Sequence, residues 1–190
     1  ITFFRMTGRK HIFITGSRGS GKSHLVNNML KYMSDSFNLL QSHRTDTPQV
    51  VIKSNLVADN KEFVIGIPRT SGINPVSKGN NMTIIEDGFI NCAIPAIDTH
   101  LDTTPERLFV IDELGYLESS CIPFQKAVEK LLDNSHVLAV IRKQSTEFLN
   151  RICNRKDVLV IDIDNTFETL SCIIMASGMS KRFGSNKLIT

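Results

Sequence analysis

The sequence predicts an α/β fold: a mainly parallel sheet flanked by helices, with an added antiparallel hairpin. Three observations predict it. Short β-rich apolar runs alternate with helical stretches along most of the chain, the pattern of consecutive βα units. An apolar run, a glycine-rich loop and a helix-like stretch follow one another between residues 11 and 33. Two further β-rich runs flank Ala58-Asp59-Asn60, which signals a hairpin rather than a crossover.

The elements follow in order. His11 to Thr15 is a strand, and Lys22 to Met33 a helix with Leu25, Val26, Met29, Leu30 and Met33 on one face. Phe37 to Leu40 is a second strand. Gln49 to Val57 and Lys61 to Ile67 form the hairpin, and Pro68 to Asn81, rich in Gly, Ser, Asn and Pro, is a loop. Met82 to Glu86 and Phe89 to Ala93 are expected as a short strand pair, with loop or a short helix from Pro95 to Pro105. Leu108 to Ile111 is a continuous apolar strand, followed by a helix from Pro123 to Leu132 with proline in its first turn. His136 to Ile141 is another buried strand. Thr146 to Cys153 is helical, with Ser145 as the expected N-cap and Phe148, Leu149 and Ile152 facing inward. Val158 to Ile163 is the last strand, and a helix is expected from Thr166.

At 190 residues the chain is long enough for one domain with a substantial core. A net charge of +3 with scattered lysines and arginines argues against a nucleic-acid partner. No apolar stretch approaches the roughly 20 residues that cross a bilayer, so no membrane partner is expected. The four cysteines form no C-x-x-C pair and suit buried thiols in a reducing cytoplasm.

The chemistry begins at residues 16 to 23, G-S-R-G-S-G-K-S, which fit the Walker A pattern G-x-x-x-x-G-K-[ST]. Gly16, Gly19 and Gly21 let the backbone curl so that successive N–H groups, those of Ser17, Arg18 and Ser20 among them, face an anion. Lys22 reaches the β- and γ-phosphates as a point charge, and Ser23 offers a hydroxyl to Mg²⁺. His24 belongs to the helix N-terminus that points its positive end at the same phosphates. The second half of the site is Leu108-Phe109-Val110-Ile111-Asp112-Glu113, an apolar strand ending in an acidic pair, the Walker B form. Asp112 is the expected Mg²⁺ partner, and Glu113 the group that orients or deprotonates the attacking water. Arg142 follows a strand that ends at the same sheet edge and is the leading candidate for an arginine that stabilises the transition state. Arg18 and Arg69 are the others. Asn154-Arg155-Lys156-Asp157 is close to a guanine-reading N-K-x-D but has its lysine displaced, and is read as a helix-end turn. Asp162 and Asp164 are read as strand termination and capping.

Together the Walker A loop, I-D-E-L-G-Y-L-E at 111–118 and F-L-N-R-I-C-N-R-K-D-V at 148–158 resemble the small nucleoside-triphosphatases first described from thermophiles. The resemblance covers roughly residues 10 to 165. It implies a P-loop three-layer sandwich that hydrolyses nucleoside triphosphates, ATP or GTP among them, with Mg²⁺. The family usually writes I-D-E-I-G-x-M-E, so Leu117 replaces a methionine. Ser42-His43-Arg44-Thr45-Asp46 stands where an aromatic G-G-F-Y-T-x-E is common.

The tail carries a second resemblance. Residues 173–190 are similar to the opening of molybdenum-cofactor nucleotidyltransferases, L-A-A-G-x-S-x-R-M-G-x-x-K, matched at Ala176, Ser177, Gly178, Ser180, Arg182, Gly184 and Lys187. The division expected is a P-loop domain over 1–170, with 171–190 the truncated start of a nucleotidyltransferase-like domain or a C-terminal tail. The expected activity is Mg²⁺-dependent triphosphate hydrolysis in one module of a larger protein. A P-loop kinase for a nucleotide or metabolite, and a nucleotide-gated switch, are the alternatives.

Overall fold

His11–Gly16 (β1) and Lys22–Leu30 (α1) are joined by the phosphate-loop sequence, as its glycines require. The computed structural model describes residues 9–32, 37–69 and 82–165. The remaining strands are Phe37–Arg44 (β2), Val50–Ser54 (β3), Phe63–Pro68 (β4), Met82–Ile84 (β5), Leu108–Leu114 (β6), His136–Arg142 (β7) and Val158–Asp162 (β8). They form one eight-stranded sheet in the order β5-β4-β3-β2-β6-β7-β1-β8. β2, β6, β7, β1 and β8 run parallel, whereas β3, β4 and β5 extend the sheet antiparallel from β2. The expected hairpin is the β3–β4 pair.

Alternation along the parallel strands divides the core. Ile12, Ile14, Val110, Leu138 and Val140 face α1, where Val26 and Leu30 meet them. Phe13, Phe109, Ile111, Ala139 and Ile141 face the other way, into a larger core. That core is closed by Ile94–Thr103 (α2), Ile122–Asn134 (α3) and Glu147–Cys153 (α4). The result is a sheet with helices on both faces.

Three local expectations are corrected, and of the two readings for Pro95 to Pro105 the helix holds. α1 buries Val26 and Leu30, but Leu25 and Met29 are exposed, so its inward stripe is narrower than its apolar composition. Met33 lies outside the described residues. Phe89–Ala93 is not a strand: it is a wide helical turn continuous with α2, and Met82–Ile84 pairs with β4 instead. In that turn the Ile94 N–H bonds the Phe89 carbonyl five residues back, just before Pro95, which has no N–H to continue the ladder. The segment from Pro95 is correspondingly helix, ending at Thr103. Finally, Thr146 rather than Ser145 caps α4, its Oγ1 accepting the Leu149 N–H at 3.1 Å. Most of the Pro68 to Asn81 loop (70–81), the helix expected from Thr166 and the whole 171–190 tail lie outside the described residues.

Cys92, Cys121 and Cys153 are free thiols. Burial pushes Cys92 up to about 11, the behaviour of an inert core thiol. Among the described residues no helix is long and apolar enough to cross a membrane.

Candidate active site

The loop from Gly16 to Ser23 turns through two left-handed residues, Gly19 at φ 77° and Gly21 at φ 90°, which an L side chain would strain. Gly21 caps α1 directly, so the free N–H groups of the helix N-terminus open into the loop. Ser17, Arg18, Gly19 and Gly21 are exposed, His24 is exposed on the first turn, and Gly16 is buried against β8. Ser20 Oγ is buried and makes no hydrogen bond among the described residues, an unused donor inside the loop. Lys22 is buried, its Nζ donating to the carbonyls of Gly16 at 3.0 Å and Ser17 at 2.8 Å. The ammonium thus rests inside the loop.

Ser23 and Asp112 meet: the Ser23 hydroxyl donates to Asp112 Oδ1 at 2.8 Å. The parallel register puts them together, because Asp112 continues the α1-facing alternation of Leu108 and Val110. Asp112 is 5% exposed, and burial pushes its carboxyl above the ordinary aspartate range, opposed by hydrogen bonds from Ser23 and from Gln41 Nε2 at 3.4 Å. These are hard oxygen donors, the kind Mg²⁺ takes. A cation there would offset the cost of the buried carboxylate.

Simple alternation would send Glu113 into the larger core. A register shift prevents it: Asp112 pairs with Val140, and Leu114 with Ile141, leaving Glu113 as the extra residue of a bulge. Leu114 takes the core position, fully buried, and Glu113 turns to the sheet edge. There Arg142 meets it, Nε donating to Glu113 Oε1 at 2.6 Å with Nη2 against the same oxygen. The candidate base and the candidate arginine are therefore one ion pair. Arg18 and Arg69 are exposed.

Four residues that motif spacing did not single out, Gln41, Ser42, Glu118 and Lys143, join this site, and so does Asp164, read above as a cap. Gln41 and Ser42, at the end of β2, border Asp112 and Glu113, with Ser42 Oγ 3.4 Å from the Glu113 backbone. Glu118 is buried in the turn after β6, where it accepts the Gly115 N–H at 2.9 Å; burial pushes it up to about 7. Asp164 accepts the Ser17 N–H at 2.7 Å and the Ser17 hydroxyl at 3.0 Å, so the Ser17 N–H, expected to face an anion, is turned to this carboxylate instead. Lys143 donates to Asp162 at 2.8 Å and Asp164 at 3.0 Å. The D-x-D pair was visible in the sequence, but its partners are set by tertiary pairing of β8 with β1. Beside this edge Thr15, Ile141, Lys143, Ser145, Leu149 and Val160 line a cleft of about 330 Å³.

The Asn154-Arg155-Lys156-Asp157 turn lies at the opposite edge of the sheet, where the Asp157 carbonyl accepts the N–H groups of Lys10 and His11. Arg155 holds the Asp157 carboxyl down to about 2. This turn follows the end of α4, as expected, and its last residue bonds the start of β1. Among the described residues, no three His, Cys, Asp or Glu side chains gather to hold a metal. A cation at Ser23 and Asp112 would draw its other oxygens from substrate and water.

Comparison with known proteins bears on the family and the fold. A family model described as NTPase matches residues 11–171. Nucleoside-triphosphatase THEP1 of Thermotoga sp. (strain RQ2) is 26% identical over 155 residues, covering 80% of this chain and 86% of that protein. Its Thermotoga maritima counterpart is 23% identical over 154 residues, with 80% and 86% covered. Among solved structures, THEP1 from the hyperthermophile Aquifex aeolicus superposes with a TM-score of 0.65 at 18% identity, over 83% of this chain and 95% of that one. A human cancer-related nucleoside triphosphatase gives 0.59 at 19% identity, over 80% and 88%. Both likenesses concern the fold.

Proposed function

This chain belongs to the NTPase family whose model spans residues 11–171, and on that premise we propose that it hydrolyses nucleoside 5′-triphosphates to diphosphate and phosphate with Mg²⁺. The observation that carries the reading is the convergence of Lys22, the Ser23–Asp112 pair and the bulged Glu113 at one sheet edge. That is the equipment of phosphoryl transfer to water.

In this reading the loop amides and the α1 N-terminus bind the β- and γ-phosphates, with Ser20 Oγ an available donor. Lys22 exchanges the Gly16 and Ser17 carbonyls for phosphate oxygens. Ser23 and Asp112 would hold Mg²⁺, which would supply positive charge against the developing negative charge of the triphosphate. Glu113 accepts a proton from the attacking water as the bond from the γ-phosphorus to the bridging oxygen breaks and the diphosphate leaves. Arg142 gives up Glu113 for the γ-phosphoryl oxygens, which frees the base and supplies positive charge in one movement.

The test is phosphate release from ATP, GTP, CTP and UTP with Mg²⁺. Lys22→Ala is expected to lose nucleotide binding. Glu113→Gln is expected to bind but to turn over about 10²- to 10⁴-fold more slowly. Full turnover in Glu113→Gln would remove that residue from the chemistry. Release that appears only when a nucleotide or metabolite acceptor is added would replace hydrolysis with kinase chemistry.

The likeness of residues 173–190 to nucleotidyltransferases extends the proposal. Hydrolysis would belong to one module of a larger cytoplasmic protein linked to molybdenum-cofactor metabolism. Nucleotide transfer to a pterin acceptor by the longer protein is the assay for that extension.

A further inference from the structure

Beyond the candidate phosphate site, the chain just past β8 braces the loop. Ile163 N–H bonds the Thr15 carbonyl at 2.9 Å, prolonging the β1–β8 ladder to the first residue of the loop. Asp164 then takes both donors of Ser17, backbone and side chain. The Ser17 carbonyl, in turn, receives Lys22 Nζ. One residue of the loop is therefore fixed from two sides, by Asp164 at its N–H and by the phosphate-binding lysine at its C=O. A carboxylate bonded to the loop is at odds with anion binding, because its charge repels a triphosphate nearby. Lys143 resolves the conflict by bonding Asp164 and Asp162 together.

We infer that Asp164 is a positioning residue that pins the N-terminal arm of the phosphate loop, and that Lys143 is its counter-ion, acting on nucleotide affinity through Asp164 and Asp162 rather than by contact with phosphate. The inference rests on the nucleotide-binding half of the proposed function and is independent of hydrolysis. Its energetic sense is simple. Without Asp164 the Ser17 peptide loses its anchor, and the loop must be ordered when the phosphates arrive, which weakens binding. Without Lys143 two carboxylates stand unneutralised beside the loop and repel the phosphates, an effect that salt screens.

The experiment is a mutant cycle on the full chain, read by Mg-ADP binding and by the kinetics of phosphate release. Asp164→Ala should weaken Mg-ADP and raise KM, each about tenfold, while kcat falls less than about threefold, the signature of lost ground-state binding. Asp164→Asn, which keeps one acceptor for the Ser17 N–H, should recover part of that loss. Lys143→Ala should also cost about tenfold in the wild-type background, shrinking at high salt, but less than about threefold once Asp162 and Asp164 are both already alanine. A full tenfold loss from Lys143→Ala in both backgrounds would mean that Lys143 binds phosphate itself and would overturn the inference. Unchanged affinity in both Asp164 variants would do the same. Should the alanine variants fail to fold, Asp162→Asn and Asp164→Asn carry the cycle. A wild-type chain that binds Mg-ADP but releases no phosphate would sink the hydrolytic reading and leave this cycle intact.

Discussion

Glu118 shows how a single residue near a charged site sets its own pH dependence. It is 5% exposed and accepts a hydrogen bond from Gly115 N–H. Burial, reinforced by the negative charge of Glu113, pushes it from the ordinary glutamate value up to about 7. The folded protein therefore binds a proton here that the unfolded chain has released above about 4.5. The stability this contributes is complete at low pH and is lost as pH rises through about 7. Glu118→Gln keeps an oxygen for Gly115 N–H and removes the ionisation. We expect it to match the wild type near pH 5 and to exceed it near pH 8 by on the order of 2 kcal/mol in urea unfolding. An equal difference at both pH values would show that Glu118 is not the titrating group. His11 acts in the opposite direction. Burial lowers it to about 4, so the unfolded chain takes up the proton first and acid destabilises the fold between about 6.5 and 4.

At the scale of elements, legibility followed how local the determining interactions are. The strand–loop–helix of 11–30 was readable because its geometry is set within a few residues, by the glycines at 16, 19 and 21 and the apolar run before them. The β3–β4 hairpin was readable for the same reason. Phe89–Ala93 was not, because a five-residue apolar run has no decisive period, and its helical state comes from packing of Phe89, Cys92 and Ala93 into the core beside Phe124. The Glu113 bulge was equally hidden, since only the cross-strand register with β7 reveals it. The α4 N-terminus gives a direct measure of such local terms. Ser145 and Thr146 both have capping side chains, yet only Thr146 accepts an α4 N–H, while Ser145 Oγ accepts from Asn150 Nδ2. Thr146→Ala should cost about 1 kcal/mol of unfolding free energy. Ser145→Ala should stay within about 0.5 kcal/mol. The reverse order would return the cap to Ser145.

Across the whole molecule, the site belongs to the sheet edge rather than to any one element. β1 supplies the loop, β2 Gln41, β6 Asp112 and Glu113, β7 Arg142, and the end of β8 Asp164. These contributions come from points more than 140 residues apart in the chain, as the Ser17–Asp164 contact shows. A nucleotide bound there links the two ends of the matched domain, so its binding energy becomes folding stability by mass action. At a concentration about 100 times Kd the gain is about 2.7 kcal/mol. For a domain of this size that is a rise of roughly 5–11 °C in Tm. Mg-ADP should produce this shift in the wild type. If Ser23 and Asp112 act on the phosphates through a cation, as proposed, the shift should shrink when Mg²⁺ is chelated. It should vanish in Lys22→Ala, because the buried Lys22 ammonium is the phosphate ligand proposed for the loop. A full shift in Lys22→Ala would mean that the nucleotide sits elsewhere on the molecule. A shift in the wild type that is indifferent to Mg²⁺ would detach the Ser23–Asp112 pair from metal binding while leaving the loop in its role.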